Sequence, residues 1–287
     1  MKKYLPYLAL LFGMTGLGFS AIFVKWANAP GAVSGFYRMG IAAAVTLVPF
    51  GVDARRRAPL SRPHVWLAVL GGLFFAADLL AWNTGVLITN AANATLLGNT
   101  SPLWVSLGAL FFFKEKLRPA FWGGLALAML GAVVILGADY LTHPALGWGD
   151  TLALIAGFFY GAFFLVTQRA REKLSSLVAW WISALASAVA LLIVSVATRQ
   201  PLFGYPPTTY GSLIAIALIT QVGGYLSISY ALGHLPASLV APTLLGQPVL
   251  TAFLAVPLLG QSLVPHQIAG GLIVLGGIWI VHRNKQE

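Results

Sequence analysis

The sequence predicts an all-α integral membrane fold of ten transmembrane helices in two inverted five-helix repeats. Three observations carry the prediction. The 287 residues are 59% hydrophobic and only 8% charged, whereas soluble domains carry roughly 25% charged residues. Apolar runs long enough to cross about 30 Å of hydrocarbon recur along the whole chain. Residues 91–131 reappear without a gap at 237–277, a shift of 146 positions.

Between polar or proline-marked breaks the helices fall near 4–26, 31–50, 64–87, 91–113, 119–138, 149–168, 175–197, 209–231, 237–258 and 265–282. The first opens on Met1-Lys2-Lys3, like a signal peptide. Its apolar run continues through Val24 without an Ala-x-Ala-like cleavage site. That exceeds a signal h-region of about 7–15 residues, so an uncleaved helix is expected. Connections are short except 51–63, 139–148 and 198–208.

The repeat rests on punctuation rather than on matched leucines, which come cheaply in an apolar chain. Pro102 falls on Pro248, Pro119 on Pro265, Gly124 on Gly270 and Gly131 on Gly277. A weaker match at offset 144 links helices one and six through Gly13 with Gly157 and Phe19 with Phe163. The expected halves are 1–143 and 144–287. Five helices per half is an odd number, so the second half inverts. The basic turn Lys114-Glu115-Lys116-Leu117-Arg118 aligns with the uncharged Gly260-Gln261-Ser262-Leu263-Val264, as a turn on the opposite side requires.

Fourteen of the seventeen Lys and Arg residues lie at one set of alternate helix ends. The other three are Arg199 and the helix-borne Lys25 and Arg38. The positive-inside rule places both termini in the cytoplasm. The net charge of +10 is spread between hydrophobic spans, so a lipid bilayer rather than nucleic acid is the expected partner. There is no cysteine, and His64, His143, His234, His266 and His282 show no metal-ligand spacing. No phosphate-binding Gly-x4-Gly-Lys-Ser/Thr loop is present. Neither a cofactor nor a metal is expected. An enzyme needs paired acids or a nucleophile–base set in the core, and Asp78 stands alone there. A receptor needs a sizeable extramembrane domain, and the longest loop has about 13 residues.

Asp78 is the acid set deep in a span, at a cost of about 2.5–3.5 kcal/mol. It lies nine residues before Leu87, about 13 Å from the helix end. Arg38 lies eight residues after Pro30, about 12 Å in. Equal depth suggests an Arg38–Asp78 ion pair locking helices two and three. The alternative is a cavity-facing Asp78 that takes a proton or a substrate ammonium. Aromatic and amide residues recur at helical spacing: Phe75, Asp78 and Trp82; Asn99, Pro102 and Ser106; Tyr160 and Phe164; Gln221 and Tyr225; Gln247 beside Pro248. Singly, each suits interhelical bonding. As a group, Asp78, Trp82, Asn99, Tyr160, Phe164, Gln221, Tyr225 and Gln247 form a candidate pocket for a flat apolar side chain and a zwitterion. Pro102 and Pro248 are repeat-related breakers, giving either inert kinks or gating hinges. Gly13, Gly16, Gly157 and Gly161 form small faces for close packing. Lys25 can snorkel. Trp66, Trp122, Trp148 and Trp279 suit interfacial anchors, and Trp180 and Trp181 lie near a helix start.

The Gly16-Leu17-Gly18-Phe19-Ser20 helix, Pro30 through Tyr37-Arg38, and Ala91-Ala92-Asn93-Ala94-Thr95 leading to Ser101-Pro102 form one set of motifs. With them stand Glu115-Lys116-Leu117, Gly123-Gly124 and, in the second copy, Ala237-Ser238, Gln247-Pro248 and Gly270-Gly271. Together they resemble the EamA-type branch of the drug/metabolite transporter superfamily, most closely its YddG-type aromatic amino acid exporters. The resemblance covers essentially the whole chain. It implies alternating access around a midplane cavity and export of small amphipathic metabolites, most naturally aromatic or neutral amino acids, by secondary active or facilitative transport. A proton-coupled exporter of cationic compounds, or an exporter of another metabolite, is the alternative. The implied location is the bacterial inner membrane. The oligomeric state stays open between monomer and dimer.

Overall fold

The structure, a computed structural model, describes residues 4–56, 59–89, 91–136, 147–250, 252–253 and 264–284. The boundary between halves at 143/144, His143 and residues 260–263 of the second turn lie outside the described residues. Among the described residues, helix falls within all ten positions marked by the sequence. Among the described residues, seven helical stretches are long and apolar enough to cross a membrane: Leu5–Ala27, Gly31–Arg55, Arg62–Ile88, Trp148–Ala170, Ser176–Ala197, Pro207–Leu232 and Pro265–Arg283. Between them lie a broken fourth span over residues 91–112, the fifth span Pro119–Leu136 and a ninth span opening at Ala237.

The second span runs five residues past its expected end, with Pro49 inside it. Its last turn then carries Arg55, where a cation favours the helix dipole.

Four spans are not continuous α-helices. The first is interrupted at Phe19, between Leu5–Gly18 and Ser20–Ala27. The fourth breaks at Asn99–Thr100, between Ala91–Gly98 and Ser101–Phe112. The eighth passes through a π-helical stretch, Ile216–Tyr225. The ninth changes to a 3-10 turn at Leu244–Gly246. That turn is the 146-residue image of Gly98–Thr100, so both repeats break at the same place. Pro102 and Pro248 each follow the break by two residues. Proline at a first helical turn loses no bond that the helix needs, so the prolines restart the helix rather than kink it.

The inversion is visible at the crossing of spans five and ten. A methyl group added to Gly124 would meet the Gly277 carbonyl at 2.9 Å, and one on Gly131 would meet the Gly270 carbonyl at 2.7 Å. Gly270 and Gly277 are the repeat images of Gly124 and Gly131. Each glycine therefore faces the image of its partner, and the two helices run antiparallel. Such reciprocal contact is the mark of a two-fold axis perpendicular to the helices, which for membrane-spanning helices lies in the membrane plane. Small residues here let the backbones approach as lipid-embedded helices require.

Candidate functional site

The helix breaks converge. A cavity of about 60 Å³ is lined by Leu17 and Ser20 beside the first break, by Gly98 and Asn99 at the fourth, by Tyr225 at the end of the π stretch and by Gln247 just after the 3-10 turn. Arg38, Asp78, Trp82 and Tyr160 complete its polar and aromatic wall. Irregular backbone inside a membrane is tolerated where it lines a cavity or is buried in protein. Side chains stitch the breaks together. Gln247 Nε2 donates to the Leu17 carbonyl at 3.0 Å. Thr220 Oγ1 donates to the Gly16 carbonyl at 3.2 Å.

Arg38 is 1% exposed. Its guanidinium donates to Asn83 Oδ1 and to Ser20 Oγ, both at 3.3 Å. Asn83 Nδ2 in turn holds the Gly31 carbonyl at 3.1 Å. The guanidinium is thus tied to spans one and three, and its Nε has no partner among the described residues. The direct Arg38–Asp78 ion pair suggested by equal depth does not form. Depth matches, but Asn83 and Ser20 occupy the fork while Asp78 sits elsewhere on the same cavity wall. The Asp78 carboxylate makes no hydrogen bond or ion pair among the described residues, although it lies within the field of Arg38. Asn99 Nδ2 is likewise buried without a partner. The wall therefore carries an uncommitted carboxyl group, an uncommitted amide donor and a guanidinium with a donor to spare.

An aromatic layer lies between the cavity and the end that carries most of the cations. Phe75 stacks on Phe163 with centroids 4.5 Å apart and meets Tyr225 at 4.7 Å. Trp180 lies parallel to Tyr225, 3° between planes. Phe75 precedes Asp78 on a span leaving the basic end, and Phe163 follows Tyr160 on a span returning there. Both rings therefore lie below the cavity. Beyond them, Ser238 Oγ donates to Glu115 Oε2 at 2.6 Å, joining the two halves at the basic end.

Six of the eight sequence-derived binding candidates line the cavity: Asp78, Trp82, Asn99, Tyr160, Tyr225 and Gln247. Phe164 and Gln221 do not. Phe164 is fully buried edge-on to Tyr160. Gln221 is fully buried and donates to Met39 Sδ at 2.8 Å. In an α-helix, Gln221 would share a face with Tyr225. The stretch that carries both is π-helical, and Gln221 is committed to Met39 on the second span. Trp180 is no interfacial anchor, being 1% exposed within the aromatic layer. Trp181 stacks on Phe50 at 3.9 Å. Sequence reasoning missed Ser20 and Asn83. An amide in an apolar span, five residues from the buried acid, was the available signal for Asn83. Lys25 is exposed and away from the cavity. Among the described residues no group of metal-binding side chains forms.

The description of the EamA-like transporter family matches residues 5–137 and again residues 147–283. A probable amino-acid metabolite efflux pump of Salmonella typhimurium is 31% identical over 187 residues, which cover 61% of this chain and 62% of that protein. The match thus spans about three fifths of the relative's length. A probable terminal-alkyne amino-acid exporter of Streptantibioticus cattleyicolor is 24% identical over 245 residues, 85% of this chain and 80% of its own. One solved crystal structure superposes with a TM-score of 0.77 at 19% identity, covering 99% of this chain and 98% of that one. It shares the fold. Family and relatives are membrane transporters of small molecules, not enzymes.

Proposed function

Because this chain belongs to the EamA-like transporter family, we propose that it exports neutral and aromatic amino acids by alternating access. The observation that carries this reading is the cavity wall where Asp78 and Arg38 face one small volume at the helix breaks. Asp78 offers a site for an ammonium group. Arg38 Nε and Asn99 Nδ2 are the free donors for a carboxylate, and such charge-assisted bonds are the stronger kind. The two relatives named for amino-acid export support the same class.

In this reading the two halves, 1–143 and 144–287, rock about the cavity. The basic ends face the cytoplasm of a bacterial cell, both termini included, in the inner membrane. The aromatic layer and the Glu115–Ser238 bond then form the cytoplasmic closure, and the described state faces outward.

A second reading is favoured by the uncommitted Asp78 carboxylate: export of cationic compounds, driven by protons. The experiment that separates the two is uptake into proteoliposomes of labelled phenylalanine, tryptophan, threonine and the amine phenethylamine, with and without a pH gradient. Saturable uptake of the amino acids but not of the amine supports the first reading. The reverse preference overturns it.

A further inference from the structure

The polar cavity is too small for a whole aromatic amino acid. If one water needs about 10–15 Å³ of such space, 60 Å³ takes about five heavy atoms. That is an ammonium, an α-carbon and a carboxylate, and nothing more. A second chamber of about 280 Å³ lies beside it, bounded by Leu96, Leu97, Met129, Ala132, Val133 and Leu245. On the same scale it takes about twenty heavy atoms, enough for an indole. Asn99 belongs to both walls, and its Nδ2 is buried without a partner.

We propose that this apolar chamber between spans four, five and nine is the side-chain subsite, with Asn99 as the threshold between head group and side chain. The inference rests on the amino-acid reading above and deepens it. The zwitterion sits against Asp78 and Arg38, and the side chain passes Asn99 into the chamber. Apart from Asn99 and Thr100 the chamber's wall is apolar, so it selects for apolar side chains and excludes charged ones. Met129 and Val133 lie one turn apart on the same face of the fifth span, reached by side chains alone. They are specificity-determining residues. The rival occupant is a lipid acyl chain, since Val133 is 45% exposed.

The test is proteoliposome uptake of leucine and phenylalanine against alanine, in wild type, Met129→Trp and Val133→Trp. Val133 is only half-buried, so the second variant adds bulk without crowding the core. Folding is checked by monodisperse elution in detergent. The chamber predicts that each variant lowers phenylalanine and leucine uptake about tenfold while alanine stays within about twofold, the discrimination of a filled apolar pocket. Equal losses for all three substrates, or no change for any, overturn the subsite and leave the amino-acid reading standing. Wild type that moves no amino acid overturns both.

Discussion

Gln247 Nε2 reaches the carbonyl of Leu17 at 3.0 Å, across 230 residues of sequence. It joins the break of the ninth span to the break of the first. Helix interruptions disturb the backbone ladder, and here the Leu17 carbonyl, which also accepts the Phe19 N–H, takes a donor from the other repeat. Gln247→Leu removes that donor at nearly constant volume. The expected result is a loss of about 1 kcal/mol in stability, since the cavity lets water replace the amide. Amide exchange at residues 18–22 should quicken, while exchange in the fifth span stays unchanged.

The crossing of spans five and ten predicts a sharp contrast between two glycines of the fifth span. Gly131→Ala drives a methyl group toward Val274 N at 2.6 Å and the Gly270 carbonyl at 2.7 Å. A methyl group on Gly123 meets nothing within 4 Å. Gly131→Ala and its image Gly277→Ala should therefore lower the thermal midpoint in detergent, by overpacking of about 1–3 kcal/mol. Gly123→Ala should raise it slightly, through helix propensity of up to about 1 kcal/mol. Equal behaviour of the three variants contradicts the crossing.

Arg38 predicts a split between charge and geometry. Arg38→Lys keeps the cation but loses the fork that serves Asn83 and Ser20 together. Arg38→Gln also loses the charge. Both should cost about 1–3 kcal/mol, because a buried acceptor is left unmet. Amino acid uptake should survive in part in Arg38→Lys and vanish in Arg38→Gln. Stability follows the fork, and transport follows the charge.

Much of this arrangement was legible in the chain. The offset of 146 residues found the glycines that meet at the crossing, because prolines and glycines mark backbone needs that apolar drift does not erase. Asp78, Arg38 and Tyr160 stood out because polar groups are costly in lipid. The winding of the eighth span was not legible. A π stretch has no composition of its own in IALITQVGGY, and the contact of Gln221 with Met39 Sδ has no signal in helical spacing. The Arg38–Asp78 bond failed for a related reason. Depth along a helix fixes height but not azimuth, and Asn83 and Ser20 hold the azimuth that the pair would need.

The most direct test of the account is uptake of phenylalanine by Asp78→Asn beside wild type, with phenylalanine amide and phenethylamine as competitors. Asparagine keeps the shape of the wall and removes the carboxyl group proposed to take the ammonium. The account predicts that wild type saturates with phenylalanine and ignores both competitors, which lack the carboxylate for Arg38. It also predicts that Asp78→Asn, folded and monodisperse, loses uptake about tenfold or more. Unchanged phenylalanine uptake by Asp78→Asn, at every imposed pH gradient, would contradict the role assigned to this cavity.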